Sequence, residues 1–331
     1  MKLDGGVLIA NITPFLEDLS VDWADMAKRA RDLASVPGIR GFVVNAFAAE
    51  APALTPEERQ RAVAVHREQA GADQVIVAAI LGGGAPETIR RGLEAKEAGA
   101  SAVMVCSPYL SAYNAKDSPE YAFHYHREIA EGLDMPMLLF QLASGDQLSY
   151  PHEALVRMAA EIDHVVGVKM AQAADCVRYD RDYYALKSLP KQIACLPSVG
   201  SSLLHNLSTG ADGILTGLAA FAPYECVELL RLVGAGDLHA ARALHARLAP
   251  LNHAIYGFPF ADLHTRYKEV AYMVGAIASP IVRSPQLRMK PNELDRLWEA
   301  AQRAGLRPVP GADMPGRNRE VQRRQEVNQP A

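Results

Sequence analysis

Short apolar runs alternate with longer amphipathic stretches along most of this 331-residue chain. The runs are apolar nearly throughout, not at every second position, which is typical of parallel strands covered on both faces. They predict eight strands: Val7–Pro14, Gly41–Ala46, Val75–Leu81, Ala102–Ser107, Pro136–Leu142, Val165–Met170, Gln192–Pro197 and Gly213–Gly217. Because the stretches between them have helical features, the alternation predicts a parallel sheet.

The helix starts and the number of units together favour a closed barrel. The segment Thr55-Pro56-Glu57-Glu58 is a capping box with proline at the first helical position. Eight strand–helix units that end near Gly236 predict a (β/α)8 TIM barrel. An open doubly wound sheet is the alternative, but it usually has a G-x-G-x-x-G turn after an early strand, and the sequence contains none.

The chain divides into three parts on this interpretation. The barrel occupies residues 1–236, and a C-terminal helical layer of the same unit occupies residues 237–305. Three stretches predict the helices of that layer: Leu238–Tyr256, Thr265–Gly275 and Asn292–Ala304. Residues 306–331 lack apolar periodicity and are rich in Pro, Gly, Arg, Gln and Asn, which predicts an extended or disordered tail.

The composition limits the classes of binding partner that the chain can have. A net charge of −4 gives no basic footprint for nucleic acid, and no apolar run approaches the roughly 18–20 residues of a membrane span. The N-terminus lacks the basic start and long apolar core of a secretory signal. The four cysteines form no C-x-x-C pair, so neither a metal knuckle nor a disulfide framework is indicated. We therefore expect a cytoplasmic protein with reduced cysteines that binds neither nucleic acid nor membrane.

The outstanding candidate for chemistry is Lys169, which lies in the apolar run His164–Ala171. Lysine is almost never buried without a reason. Burial disfavours its charged form, and the neutral amine is a nucleophile toward carbonyl carbon. The structural alternative is a strand-end lysine whose amine reaches water or pairs with a carboxylate. Either way, we expect Lys169 at the C-terminal end of a barrel strand, where such barrels carry their catalytic groups.

Three weaker candidates have simpler structural explanations. His124 and His126 fall in a predicted helix, where residues two apart point in nearly opposite directions, so we expect no metal site there. The glycines Gly82–Gly84 could cradle a phosphate, but a tight strand-to-helix turn is the favoured use. The arginines of the tail could meet an acidic partner, although a solvated tail is the simpler explanation.

The ordered motifs resemble the dihydrodipicolinate synthase and N-acetylneuraminate lyase family from about Gly6 to Leu306. The matching segments are Ile12-Thr13-Pro14-Phe15, Leu54-Thr55-Pro56-Glu57-Glu58-Arg59, Lys96-Glu97-Ala98-Gly99-Ala100, Ser107-Pro108-Tyr109 and Val166-Gly167-Val168-Lys169. The resemblance implies a TIM barrel with C-terminal helices, commonly as a homotetramer. It also implies a Schiff base between Lys169 and a 2-oxo acid such as pyruvate, with no metal or organic cofactor.

The departures from the family fall on its proton relay. The three relay hydroxyls correspond to Phe47, Leu110 and Phe140, and none of these side chains can exchange a proton. Tyr109 is the nearest hydroxyl in the motifs, so it is a candidate catalytic residue, with packing at the barrel rim as the alternative. The family's arginine after the fifth strand has no match among Ala143-Ser144-Gly145-Asp146. We therefore do not expect dihydrodipicolinate synthesis.

Substrate binding can survive these changes. The resemblance places the substrate carboxylate against backbone N–H groups near Phe47 and Ala48, and such donors do not depend on side-chain identity. Phe47, Leu110, Phe140 and the adjacent Gln141 are then the predicted substrate-binding residues, in a pocket suited to an apolar or aromatic substrate.

Three functions remain open from the sequence. The leading prediction is an aldolase, hydratase or dehydratase that acts through Lys169. The second is a non-catalytic protein that binds a 2-oxo acid or has a structural role, which the missing relay favours. The third is a metal-dependent hydrolase on the same barrel, for which the strand positions supply no ligand set.

Overall fold

The computed structural model describes residues 3–113, 118–143, 146–173 and 175–312. Their strands are β1 Val7–Ala10, β2 Ile39–Val44, β3 Val75–Ile80, β4 Ala102–Val105, β5 Met137–Leu142, β6 Val165–Ala171, β7 Ala194–Pro197 and β8 Ile214–Thr216. The helices are α1 Trp23–Ala34, α2 Pro56–Gln69, α3 Ala85–Glu97, α4 Glu120–Leu133, α5 His152–Glu161, α6 Cys176–Lys187, α7 Leu203–Thr209, α8 Pro223–Gly234, α9 Leu238–Ile255, α10 Leu263–Met273 and α11 Pro291–Ala304.

The strands form a nearly closed parallel barrel in the order β7-β6-β5-β4-β3-β2-β1-β8. Polar groups bridge the seam between β7 and β8. The Asp212 carboxylate accepts a hydrogen bond of 2.7 Å from the backbone N–H of Cys195, and the Thr216 hydroxyl donates one of 2.6 Å to the carbonyl of Ser198. The predicted TIM barrel with C-terminal helices is confirmed. Each predicted strand overlaps an observed one, although β2 begins earlier than predicted, at Ile39, and β6 ends later, at Ala171.

The sequence signals act locally as predicted. The Thr55 hydroxyl accepts from the Glu58 N–H at 3.2 Å, and the Glu58 carboxylate accepts from the Thr55 N–H at 2.9 Å. Both are N-terminal N–H groups of α2 that would otherwise lack partners. Gly82 and Gly83 have φ values of +67° and +92°, so they form the tight turn from β3 into α3.

The C-terminal helices begin within about two residues of their predicted starts. Residues 306–312 continue without helix or strand, and Val309 is buried in this stretch. The rest of the predicted tail, including its arginines, lies outside the described residues. No helix in the described part of the chain is both long enough and apolar enough to cross a membrane.

A buried ion pair attaches α10 to the loop after β2. Lys268 on α10 has no exposed surface, and its Nζ lies 2.5 Å from Oε1 of Glu50, which is 4% exposed. Lys268 also donates 2.6 Å to the carbonyl of Ile281, and the other Glu50 oxygen accepts from the Arg283 N–H at 3.0 Å. Such a pair is tolerable in the interior because hydrogen bonds compensate for the lost hydration of both charges.

We expect Lys268→Met to lower the free energy of unfolding by about 3–5 kcal/mol, because it leaves the Glu50 carboxylate buried without its partner. The double variant Lys268→Met/Glu50→Leu should recover most of this loss. Urea unfolding followed by circular dichroism measures both. The control is Arg303→Met, which breaks an exposed pair with Glu299 and should change stability by less than about 1 kcal/mol. Equal losses in the Lys268 and Arg303 variants would contradict the assigned role.

Candidate active site

Lys169 lies near the C-terminal end of β6 and is only 6% exposed. Its neighbours across the sheet are Phe140 on β5 and Leu196 on β7. Because paired residues of parallel strands direct their side chains to the same face, Phe140 packs beside the lysine. The Lys169 Nζ lies 4.3 Å from the centre of the Phe140 ring. The structure therefore brings together two of the predicted site residues.

Burial governs the charge of this lysine. Desolvation lowers the pKa of Lys169 from the ordinary 10.5 to about 8, and the Cys106 thiol opposes the shift. The Phe140 ring face favours the ammonium form as well, but the loss of hydration outweighs it. Burial raises the pKa of Cys106 itself to about 12, so this neighbour is a neutral thiol near pH 7. Roughly a tenth of the Lys169 amine is then neutral at pH 7, far more than for an exposed lysine.

Phe47 completes an aromatic wall around Lys169. It begins a one-turn 3-10 helix, Phe47–Ala49, directly after β2. Its ring centre lies 5.9 Å from that of Phe140 and 6.4 Å from that of His264, and it is parallel to the imidazole within 2°. Phe140 thus packs against the lysine amine, and Phe47 packs against Phe140.

Backbone donors are available in the same turn. The N–H groups of Ala49 and Glu50 are used inside it, since they donate to the carbonyls of Ala46 and Phe47. Among the described residues, the N–H groups of Phe47 and Ala48 have no backbone acceptor. Ala48 is buried, and its small side chain lets the turn pack close to the barrel. These two amides are the donors that the sequence predicts for a substrate carboxylate.

Two predicted site residues lie in the 3-10 turn Tyr109–Tyr113 after β4. Leu110 is 38% exposed and lines a surface groove with Gly83, Pro108 and Tyr121, and its contact with substrate stays a prediction. The Tyr109 side chain lies outside what the structure describes, so its catalytic role stays a prediction.

Gln141 faces the helices and not the pocket. It follows Phe140 on β5, and successive strand residues point to opposite faces. Its amide donates 3.1 Å to the Asp182 carboxylate, and its carbonyl accepts 3.0 Å from the Tyr150 N–H. With both ends of the amide occupied between the barrel and α6, Gln141 has a structural role instead of the predicted contact with substrate.

The two histidines of the predicted helix, His124 and His126, differ in burial. His124 is exposed beside Glu120, whereas His126 is fully buried, with Nδ1 2.7 Å from the carbonyl of Ala122 and Nε2 2.9 Å from the Tyr150 hydroxyl. Across the described residues, no three His, Cys, Asp or Glu side chains form a group that could hold a metal ion.

No sequence motif indicates a role for His264. It lies on α10, four residues before Lys268, and 95 positions separate it from Lys169 in the chain. No spacing motif links it to the barrel strands. Only the packing of the C-terminal helices over the end of the barrel brings it to the Phe47 ring.

Comparison with known proteins places this site in a family. The family model described as the dihydrodipicolinate synthetase family matches residues 4–304. The chain belongs to that family. Its members are lyases, and this chain has the fold of that class of lyase.

The relatives are distant but match over nearly their full length. The 4-hydroxy-tetrahydrodipicolinate synthase of Chlorobium phaeobacteroides is 25% identical over 92% of this chain and 98% of its own. The enzyme of that name from Bifidobacterium longum is 29% identical over 91% and 95%. The crystal structure of dihydrodipicolinate synthase from Thermotoga maritima covers 92% of this chain and 100% of its own, with a TM-score of 0.83 at 23% identity, which shows the shared fold.

We expect competitive acetylation to give Lys169 a titration midpoint near pH 8, because only the neutral amine reacts and burial lowers its pKa to about 8. Below that pH the ammonium form is unreactive, so labelling should fall by roughly tenfold per pH unit. Peptide mass spectrometry over pH 6–11 measures it, with the exposed Lys290 as the internal reference. Phe140→Ala, which admits water, should move the midpoint upward. An unshifted Lys169 midpoint above pH 10 would contradict the assigned desolvation.

Proposed function

We propose that this protein is a lyase, an aldolase or a hydratase/dehydratase, that acts on a 2-oxo acid through a Schiff base on Lys169. The observation that carries the proposal is a buried lysine with a lowered pKa at the C-terminal end of β6, where barrels of this class carry their chemistry. Neither a metal nor an organic cofactor has a part in it.

The geometry supports each requirement of imine chemistry. The lysine amine supplies the nucleophile, and its partial neutrality near pH 7 makes it competent to attack a carbonyl. The free N–H groups of Phe47 and Ala48 can donate hydrogen bonds to the substrate carboxylate without any cationic side chain. The protonated imine is an electron sink, so a bond to the carbon next to C2 can break and leave an enamine.

The aromatic wall points to a substrate with an apolar or aromatic body. Phe47 and Phe140 replace groups that the family uses to exchange protons, and they exclude water from Lys169. The 4-hydroxy-tetrahydrodipicolinate synthases of Chlorobium phaeobacteroides and Bifidobacterium longum are only 25% and 29% identical to this chain. Because of the altered wall, we do not extend that synthase activity to this protein.

A non-catalytic protein that binds a 2-oxo acid is the second candidate. The replacement of relay hydroxyls by Phe47 and Phe140 favours it, because positioned acid–base groups typically contribute about 10²–10⁴-fold to rate. The proposed homo-oligomeric state, a dimer or tetramer, and the cytoplasmic location rest on the family resemblance and remain predictions.

Borohydride trapping tests the Schiff base directly. We expect incubation with pyruvate, 2-oxobutyrate or phenylpyruvate, then reduction and digestion, to leave a covalent adduct on Lys169 because the imine is reduced to a stable secondary amine. Peptide mass spectrometry identifies the site. Lys169→Ala should lose the adduct, whereas the matched surface variant Lys290→Ala should keep it.

The outcomes separate the candidates. An adduct with turnover of a hydroxylated 2-oxo acid supports the lyase, and an adduct without turnover of any such compound favours the non-catalytic protein. If none of the three 2-oxo acids gives an adduct on Lys169, the Schiff-base proposal is wrong.

A further inference from the structure

The site has a titratable side chain that its sequence motifs do not supply. His264, on α10, has its imidazole parallel to the ring of Phe47. Phe47 in turn packs against Phe140, and the Lys169 amine lies over the Phe140 ring. The imidazole therefore borders the same aromatic-lined space as the lysine amine. Among the described residues, neither of its ring nitrogens has a hydrogen-bond partner, so both are available to a bound molecule.

The surroundings keep this imidazole neutral. Burial, together with the positive charges of Lys169 and Lys268, lowers the pKa of His264 to about 4. Near pH 7 the ring thus has one N–H and one free lone pair, the form that can both accept and donate a proton.

Charged groups from β6 and from α10 lie around His264. Lys169 comes from β6. Lys268 comes from α10 itself and is paired with Glu50 from the loop after β2. Tyr267, also on α10, lies with its ring centre 6.3 Å from the imidazole. Because Glu50 offsets the Lys268 charge, the unpaired charge that faces His264 is that of Lys169.

Several other hydroxyls and one thiol in the described part of the chain are engaged elsewhere or protonated. The hydroxyls of Tyr256 and Tyr267 lie 2.7 Å apart and bond to each other. The Tyr125 hydroxyl lies 2.8 Å from the Thr88 hydroxyl. Burial holds Cys106 in its neutral thiol form.

We propose that His264 is the proton-transfer residue that replaces the hydroxyl relay in this protein, an inference that rests on the proposed Schiff base at Lys169. It is supplied by the C-terminal helical layer, not by the barrel loops at Phe47, Leu110 and Phe140. The parallel packing on Phe47 fixes the plane of the ring.

Imine formation on Lys169 requires His264 to accept and return one proton. His264 accepts a proton from the Lys169 ammonium, and the amine attacks C2 of the 2-oxo acid. One proton passes from nitrogen to oxygen in the tetrahedral adduct. The imidazolium then returns its proton to that hydroxyl, which leaves as water while the C=N bond forms. In the next step, neutral His264 removes a proton from C3 of the protonated imine to give the enamine, and it can return a proton to C3.

Exchange of the C3 protons of pyruvate for deuterium tests the second step. We expect the wild-type protein to exchange the methyl protons of pyruvate in D2O, followed by proton NMR. His264→Phe keeps the stacking on Phe47 but removes both nitrogens, so exchange should fall by at least about 100-fold. The adduct on Lys169 after prolonged incubation and borohydride reduction should persist in this variant. His239→Phe, a change of an exposed histidine on α9, is the matched control and should exchange at the wild-type rate.

A second variant separates proton transfer from packing. In His264→Ala, added imidazole should restore exchange, because it can occupy the space left by the side chain. Exchange in His264→Phe within about threefold of wild type overturns the inference, as does failure of imidazole to rescue a folded His264→Ala protein. Trapping on Lys169 without exchange in the wild type overturns the inference alone, whereas the absence of any wild-type adduct overturns the proposed function beneath it.

Discussion

The buried ion pair between Lys268 and Glu50 joins the C-terminal helices to the barrel at the point where the site is built. Glu50 ends the turn that carries Phe47, and Lys268 lies one helical turn after His264 on α10. The pair thus fixes both rings of the Phe47–His264 stack relative to each other. Because a buried charge cannot lose its partner cheaply, α10 and the loop after β2 are held together strongly.

Desolvation ties the rest of the site to that arrangement. Phe47 and Phe140 keep water from Lys169, which lowers the pKa of the lysine and makes its amine available as a nucleophile. The same side chains cannot move protons. In the proposed mechanism, acid–base chemistry comes from another element, and we assign it to His264 on α10. In that mechanism, the apolar side chains lower the pKa of Lys169, and the histidine from the helical layer transfers the protons.

The outer face of the barrel shows why neighbours in sequence need not share a role. Phe140 faces Lys169, while the next residue, Gln141, turns toward α6 and bonds to Asp182. Asp182 has no exposed surface, and it also accepts from the amide of Gln172 at 2.9 Å and lies 2.6 Å from Nδ1 of His152. This network supports the ends of β5 and β6, so the residue beside the pocket stabilises the wall without forming it.

The sequence by itself determined the barrel, its strands and helices, and the place of Lys169, because apolar periodicity and capping are local properties of the chain. The family resemblance also implied that Phe47 and Phe140 line the pocket of Lys169, and the structure packs Phe140 on the amine and Phe47 on Phe140. The tertiary structure alone decided the bond of Gln141 to Asp182, the exposed position of Leu110 and the approach of His264 to Phe47. These features depend on how β5 packs against α6, how the turn after β4 is placed, and how α10 packs over residues far away in the chain, and no local pattern encodes them.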